Sequence, residues 1–432
     1  MLKTRTLILG FLMLPVLTSA QSVLTLKEVI DSTLLNSFDI RIAENNLLIS
    51  QKMNTYGMAG GLPYLAASAT GNGAVNDLYQ SFPDGPDSRL NGVTQMSSHA
   101  GAEMGITLFN GFKVMAAKER LALLEKQNEY LLNYEIQNAM ATAMIRYYDV
   151  VRQRAYLKIL EQQKEVSEKK LEIIHVKKEA GLASNVILMQ AQMDVDIAAE
   201  NVQQQKLIVD HAKHDLRLAM CSKSDFDFVI SDTITLNHFI SKDSLIQSIK
   251  NNPLYLSVIQ QTRIRQQMAK ESSANLYPAL KLGAAYDYSI NSSSAGSVIH
   301  SVVNGPSAAI SLQIPLYYGG SYRVQYEAAK ISVMNAQMAE ESTKLLLETT
   351  ALKLYQTYQK NLELIEEQKK SYERAKELVD LVLLNFRLNH ATILEVKAAQ
   401  TTLENSGYML VNMLYSAKSA EIQMLALMLR LK

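Results

Sequence analysis

Two stretches of this 432-residue chain match each other at an offset of 208 residues: AGAEMGITLFNG at 100–111 and AAISLQIPLYYG at 308–319. The offset continues along the chain beyond them, where it aligns Ala143 with Ala351, Tyr147 with Tyr355, Ala183 with Ala391 and Gln192 with Gln400. Matches that recur at one long offset are the signature of an internal repeat. The sequence therefore predicts a chain built from two copies of one unit.

Towards the N terminus the offset is 215, which aligns Pro63 with Pro278. The offset changes in a segment rich in Gly, Pro, Asn and Ser at 81–88, whose counterpart at 291–296 is shorter. Such composition is typical of a loop. An insertion of seven residues at one loop tip accounts for the difference between the two offsets.

Apolar and polar residues alternate around the matching stretches, which indicates β-strands. We expect two strands in each unit, at about 62–75 and 98–110 in the first and at about 277–290 and 306–318 in the second. Alternation over about ten residues suits a tilted strand that spans a membrane. It equally suits a hairpin half-buried on a soluble core, and the pattern leaves both interpretations open.

Helices are expected on both sides of each hairpin. The preceding helix is expected at about 25–58 in the first unit and 242–274 in the second. No proline or glycine occurs in 113–180 or 321–388, so each segment predicts a helix about 100 Å long at 1.5 Å per residue. Each ends in a short break, after which a second helix returns. The break residues are Gly181, Leu182, Ala183 and Ser184 in the first unit and Asn389, His390, Ala391 and Thr392 in the second. Gly and Asn tolerate the left-handed conformation after a helix, and Ser or Thr caps the next one.

The first 20 residues have the pattern of a secretory signal peptide: Lys3 and Arg5, then an apolar stretch and a small-residue cleavage site before Gln21. We divide the remainder into a first repeat at 21–221, an inter-repeat linker at 222–240 and a second repeat at 241–432. No later apolar run approaches 18 residues.

Composition argues against several classes of function. The formal net charge is +1 with both signs interspersed, so we expect no nucleic-acid partner. The single cysteine, Cys221, cannot form an internal disulfide, and no nucleophile, phosphate-loop or zinc motif is present. We therefore expect no enzymatic activity, no catalytic residue, no cofactor and no metal site.

The fold class is thus mainly α, with a β-hairpin pair per chain and a duplicated helix–hairpin–long helical hairpin unit. Four strands cannot close a membrane barrel, for which about eight is the practical minimum. If the strands enter lipid, several copies must share one barrel, since unpaired edges are not tolerated there. Three copies would supply twelve strands, a dimer eight, and their helical hairpins would continue the barrel as a tube.

This order of elements, with Asn251-Asn252-Pro253, Tyr277-Pro278 and the stretch from Pro315 to Gly320, resembles the TolC-like outer membrane efflux protein family over the whole mature chain. The resemblance implies a homotrimer in the outer membrane of a Gram-negative bacterium, with a twelve-stranded β-barrel and a periplasmic α-helical barrel. It implies an outer membrane channel of a tripartite efflux system, a passive conduit that carries small molecules such as drugs. Its partners would be outer membrane lipid, a periplasmic adaptor and an inner-membrane pump of RND or ABC type.

The resemblance also assigns roles to residues. The adaptor would dock on the hairpin tips at 181–184 and 389–392. Family members carry acidic residues beyond the second tip that narrow the tunnel, and here Glu395 holds the first such position while Ala398 replaces the second. Glu395 is thus the one candidate for a tunnel constriction. Two other functions stay open: a type I secretion channel for a protein or peptide, and a soluble periplasmic coiled-coil scaffold.

Overall fold

The computed structural model describes residues 22–222, 228–236 and 239–431. The signal peptide expected at 1–20 and the start of the mature chain at Gln21 lie outside the described residues. The elements in chain order are β1 Ser22–Val23, α1 Leu26–Asn36, α2 Phe38–Met53, β2 Tyr64–Phe82, β3 Gly85–Asn110, α3 Lys113–Glu179, α4 Asn185–Ala219, β4 Phe228–Val229, α5 Lys242–Ser248, α6 Pro253–Ser273, β5 Ala279–Ser293, β6 His300–Gln313, α7 Ser321–Arg387 and α8 Ile393–Leu427. The predicted fold class, mainly helical with two β-hairpins in a duplicated unit, is confirmed.

The helix that precedes each hairpin is broken once, where one continuous helix was expected. Ser37 separates α1 from α2, and Asn252 separates α5 and a 3₁₀ turn from α6. Both residues cap the following helix: the Ser37 hydroxyl accepts from the backbone N–H of Ile40, and the Asn252 side chain accepts from that of Leu254. Ser37 and Asn252 are 215 residues apart, so the break is itself repeated.

The first hairpin is longer than expected, and the loop interpretation of 81–88 is wrong. β2 and β3 pair up to Phe82 and Gly85, which leaves only a two-residue turn. Nearly every side chain of this outer part is exposed on both faces, so no apolar alternation reveals it. The second hairpin pairs up to Ser292 and His300. Its second strand, β6, ends at Gln313, before the predicted end at about 318.

The two hairpins have the same strand register. Tyr64 lies opposite Gly105 in the first and Ala279 opposite Gln313 in the second. The offset of 215 carries Tyr64 to Ala279, and the offset of 208 carries Gly105 to Gln313. The duplication thus preserves the strand pairing residue for residue. The hairpins join through β3 and β5 into one antiparallel sheet in the order β2-β3-β5-β6.

The helices are equally repeated. α3 and α7 each have 67 residues, about 100 Å, and α4 and α8 each have 35. Near the sheet the helices pack in the order α2-α3-α6-α7, and towards the hairpin tips in the order α4-α3-α8-α7. No described helix combines the length and apolarity needed to cross a membrane.

The largest core lies halfway along the long helices, and part of the inter-repeat linker belongs to it. In the linker, β4 pairs in parallel with β1, and Phe228 and Ile230 are fully buried in this core. The Tyr147 hydroxyl donates to Asp232 of the linker at 2.5 Å. The described part of the segment at 222–240 is therefore a packed clasp between the repeats.

Candidate functional site: the sheet and the hairpin tips

The two faces of the sheet differ in chemistry. Residues of one face, the apolar face, lie in rows across the four strands: Leu65, Ala67, Ala69, Ala100, Ala102, Met104, Ile106, Leu282, Ala284, Tyr286, Tyr288, Ala308, Ile310 and Leu312. The other face, the charged face, carries His99, Glu103, Lys281 and Asp287. In the single chain the apolar face is open, and Ile310 is 72% exposed. A sheet of this kind suits a wall between lipid and water.

Side chains on the charged face contact one another across strands. His99 Nδ1 lies 3.1 Å from Ser289 Oγ, and His99 Nε2 lies 3.4 Å from Asp287 Oδ1. Opposite Asp287 stands Gly101, where a Cβ atom would lie only 2.4 Å from the carboxylate. The glycine leaves room for a polar cluster on a face that has no apolar core.

Both edges of the sheet are open in the described chain. β2 pairs only with β3, and β6 pairs only with β5. These strands are long and their apolar face is exposed, whereas proteins usually shield such edges. The edges therefore need partner strands if the sheet lies in lipid, where unpaired backbone groups are costly.

A sharp elbow joins each hairpin to its long helix. In the first repeat Gly111 and Phe112 both have φ of 66°, and in the second Gly319 and Gly320 have φ of 62° and 77°. Two successive left-handed residues turn the chain from the strand direction into the helix direction. At Gly111 a Cβ would lie 2.7 Å from the Ala274 carbonyl oxygen, so this elbow is also tightly packed.

Both hairpin tips turn by the same motif. After α3, Gly181 has φ of 76° and the N–H of Leu182 donates to the Lys177 carbonyl at 2.7 Å. After α7, Asn389 has φ of 63° and the N–H of His390 donates to the Asn385 carbonyl at 2.8 Å. Such bonds satisfy the last carbonyls of a helix. Ser184 and Thr392 cap the helices that return, as their positions in the sequence indicate.

The structure brings the two predicted tips together. Ala183 and Ala391 pack against one shared apolar cluster that includes Ile174 and Phe386. The Lys177 ammonium donates to the Phe386 carbonyl and lies 4.0 Å from the centre of its ring. The other tip residues are exposed: Gly181, Leu182, Ser184, Asn389, His390 and Thr392. The tips thus present one joint surface.

Glu395 has a local structural role. It is the third residue of α8 and closes a capping box with Thr392, whose backbone N–H donates to the Glu395 carboxylate at 2.6 Å. This bond, with a second from the Thr392 hydroxyl, lowers the pKa of Glu395. The side chain is exposed, and one carboxylate oxygen is engaged in the cap.

Sequence reasoning missed a buried polar network above the tips. Lys170 is 1% exposed, and its ammonium lies 2.5 Å from Asp194 of α4 and 3.4 Å from the Gln400 side chain of α8. Lys397 of α8 reaches the second oxygen of Asp194 at 3.4 Å. The network ties the first helical hairpin to the second. The sequence gives only a weak signal of this network. Lys170 lies on the buried side of its helix, but lysines are also common on the solvent-exposed faces of that helix.

The described structure therefore defines a class: a subunit whose amphipathic sheet and long helical hairpins suit a wall around a passage. Comparison with known proteins agrees. The fold is similar to that of the outer-membrane channel OprN (16% identity, 93% of this chain and 89% of that one, TM-score 0.77). It is similar to the CmeC outer membrane channel of Campylobacter jejuni (15%, 93% and 85%, 0.78). It is also similar to the outer membrane protein VceC of Vibrio cholerae (16%, 93% and 96%, 0.74).

Residues 245–428 match the family model described as outer membrane efflux protein. This match covers the second repeat and less than half of the chain, and the solved structures add a similar fold over 93% of it. Both findings agree with the predicted resemblance to outer membrane efflux proteins. A search of curated proteins found no match.

Proposed function

We propose that this chain is the outer-membrane subunit of a tripartite efflux system, a passive homotrimeric conduit for small molecules such as drugs. The observation that carries the proposal is the sheet, which has an apolar face, a charged face and two open edges. It continues directly into helices of 67 residues. Three copies would supply twelve strands, enough to close a barrel around a water-filled passage.

The helices then place the tips about 100 Å from the sheet. In this arrangement the tips at 181–184 and 389–392 face the periplasm and dock a periplasmic adaptor. Their exposed surface is partly apolar, since Leu182 is 66% exposed. An inner-membrane pump of RND or ABC type supplies the energy, and the channel itself carries out no catalytic step.

Glu395 is the proposed constriction residue. Three copies would place three carboxylates at one level of the tube, beside the tips. Glu395→Gln tests this cleanly, because Gln can also close a capping box, so that the charge is removed while the cap stays. We expect the purified Glu395→Gln channel to lose cation preference in a salt gradient. An unchanged reversal potential would remove Glu395 from the constriction.

The function is tested by extracting outer membranes with detergent and measuring native mass and single-channel conductance, alongside dye efflux in a deletion strain. A conducting trimer whose loss abolishes efflux is the expected result. A protein released without detergent that does not conduct would be a periplasmic scaffold. A conducting trimer whose deletion spares dye efflux but stops export of a protein would be a secretion channel.

A further inference from the structure

A cavity of about 490 Å³ lies where the sheet meets the helices. Lys281 and Gln313 of the charged face line one side of it. Lys113, Ala117 and Arg120 of α3 line another side, and their spacing of four and three residues places them on one face of that helix. The volume lies within the range of small-molecule sites in proteins.

The cavity carries an excess of positive charge. Three cationic side chains line it, those of Lys113, Arg120 and Lys281, against the single carboxylate of Glu271. That carboxylate pairs with Arg120. The Lys113 ammonium donates to the neutral side-chain oxygen of Asn275 at 3.2 Å. The lining therefore has a net charge of +2, which Lys113 and Lys281 supply.

The start of α3 adds to this positive potential. Lys113 is the first residue of a helix of 67 residues whose first turn contains no acidic residue and whose N-cap, Phe112, offers no side-chain acceptor. The first N–H groups of a helix carry a partial positive charge and favour a bound anion. A helix N terminus and two ammonium groups thus border the same cavity.

The internal repeat shows that the fold does not require these charges. The offset of 208 carries Lys113 to Ser321 and Arg120 to Ala328, and the offset of 215 carries Lys281 back to Ala66. The second elbow and the first strand therefore form with neutral residues at the equivalent positions. The cations are additions to one copy of the junction, as a binding role would require.

We propose that this cavity binds an organic anion, a molecule with one carboxylate or sulfonate on an apolar body of drug size. Lys113 and Lys281 hold the anionic group. The apolar body packs on Met58, Tyr277 and Tyr322, which also line the cavity. The inference rests on the proposed conduit and names a class of cargo for it.

The side on which the cavity opens indicates where the anion comes from. It is lined by residues of the charged face, which lines the passage in the proposed conduit, and not by the rows of the apolar face. Both lysine side chains are exposed, so each should improve affinity only about fivefold. Weak binding suits a conduit, because a tight site would retain the cargo.

Binding is tested by titration calorimetry on the full chain in neutral detergent, with naphthalene-2-sulfonate as the probe and the uncharged naphthalene-2-sulfonamide as its analogue. Lys113→Gln and Lys281→Gln should each weaken sulfonate binding about fivefold, and the double variant about 25-fold. Lys281→Arg keeps the charge and should retain the affinity. Arg120 stays in place, because its loss would leave the Glu271 carboxylate without its partner.

Lys360→Gln is the matched control. Lys360 pairs with Glu363 at the surface of α7, about 60 Å along that helix from the elbow, and both side chains are more than half exposed. Its replacement should leave the affinity for the sulfonate unchanged. An equal loss in Lys360→Gln would show that net charge, and not the cavity, attracts the probe.

Single-channel recording places the site on the passage. The sulfonate should interrupt the current of the wild type and interrupt that of the double variant much less, whereas the sulfonamide should affect neither. A channel that conducts but binds the sulfonate equally well with and without the two lysines overturns the site and leaves the conduit intact. Displacement of the probe by phosphatidylglycerol would assign the cavity to membrane lipid and overturn the cargo. A protein that does not conduct overturns the conduit and the cargo together.

Discussion

Asp194 neutralises a lysine that is almost completely inside the protein. Lys170 is 1% exposed and Asp194 13%, and their charged atoms are 2.5 Å apart. Asp194→Asn would leave the buried ammonium with the neutral Gln400 side chain as a partner and with the Lys397 ammonium, which also loses its carboxylate, close by. Removal of one partner from a buried pair costs about 3–5 kcal/mol, because the remaining charge is uncompensated. Every 1.4 kcal/mol is tenfold, so local opening should become roughly 100- to 4,000-fold more frequent.

Hydrogen exchange measured by mass spectrometry on detergent-solubilised protein would report this opening in α3, α4 and α8. Glu165→Gln is the matched control, since Glu165 pairs with Lys169 at the surface and both side chains are more than half exposed. Its effect should stay within about 1 kcal/mol. Asp194→Leu with Lys170→Met removes both charges and should restore most of the protection. Exchange in Asp194→Asn no faster than in Glu165→Gln would refute the reasoning.

Three other predictions concern the elbows, the clasp and the cap. Gly319→Ala adds only left-handed strain, about 1 kcal/mol, whereas Gly111→Ala also collides with a carbonyl and should lose about 1–3 kcal/mol more, seen as a lower thermal midpoint. Tyr147→Phe removes the hydroxyl donor to Asp232 and should cost about 1.5–3 kcal/mol in urea unfolding; an unchanged midpoint would show that this hydrogen bond adds nothing to stability. Because the folded-state pKa of Glu395 is depressed, its stabilising effect is present above the ordinary glutamate pKa and is lost as pH falls through the depressed value. Amide protection at the start of α8, corrected for the pH dependence of intrinsic exchange, should therefore fall on acidification in the wild type and much less in Glu395→Gln.

The duplication, the long helices and their tips could be predicted from sequence because breaker residues mark them directly. Gly181 and Asn389 lie where the long helices end. Asn252-Pro253 marks the break before α6, although we expected one continuous helix there. The outer half of the first hairpin could not be predicted. Most of its side chains are exposed on both faces, so backbone pairing and a few polar contacts such as Tyr79–Asp87 hold it, and neither leaves a periodic pattern in side-chain type.

The buried network eluded sequence reasoning for a different reason. Lys170 is buried, whereas the preceding residue, Lys169, is exposed, and the residues around both have an ordinary helical composition. Nothing in the local sequence therefore distinguishes the buried lysine from the exposed one. Its partner Asp194 comes from the returning helix, and only the packing of three helices brings the charges together. Pairs of this kind depend on how separate helices pack against one another, and the apolar periodicity of a single helix does not encode that packing.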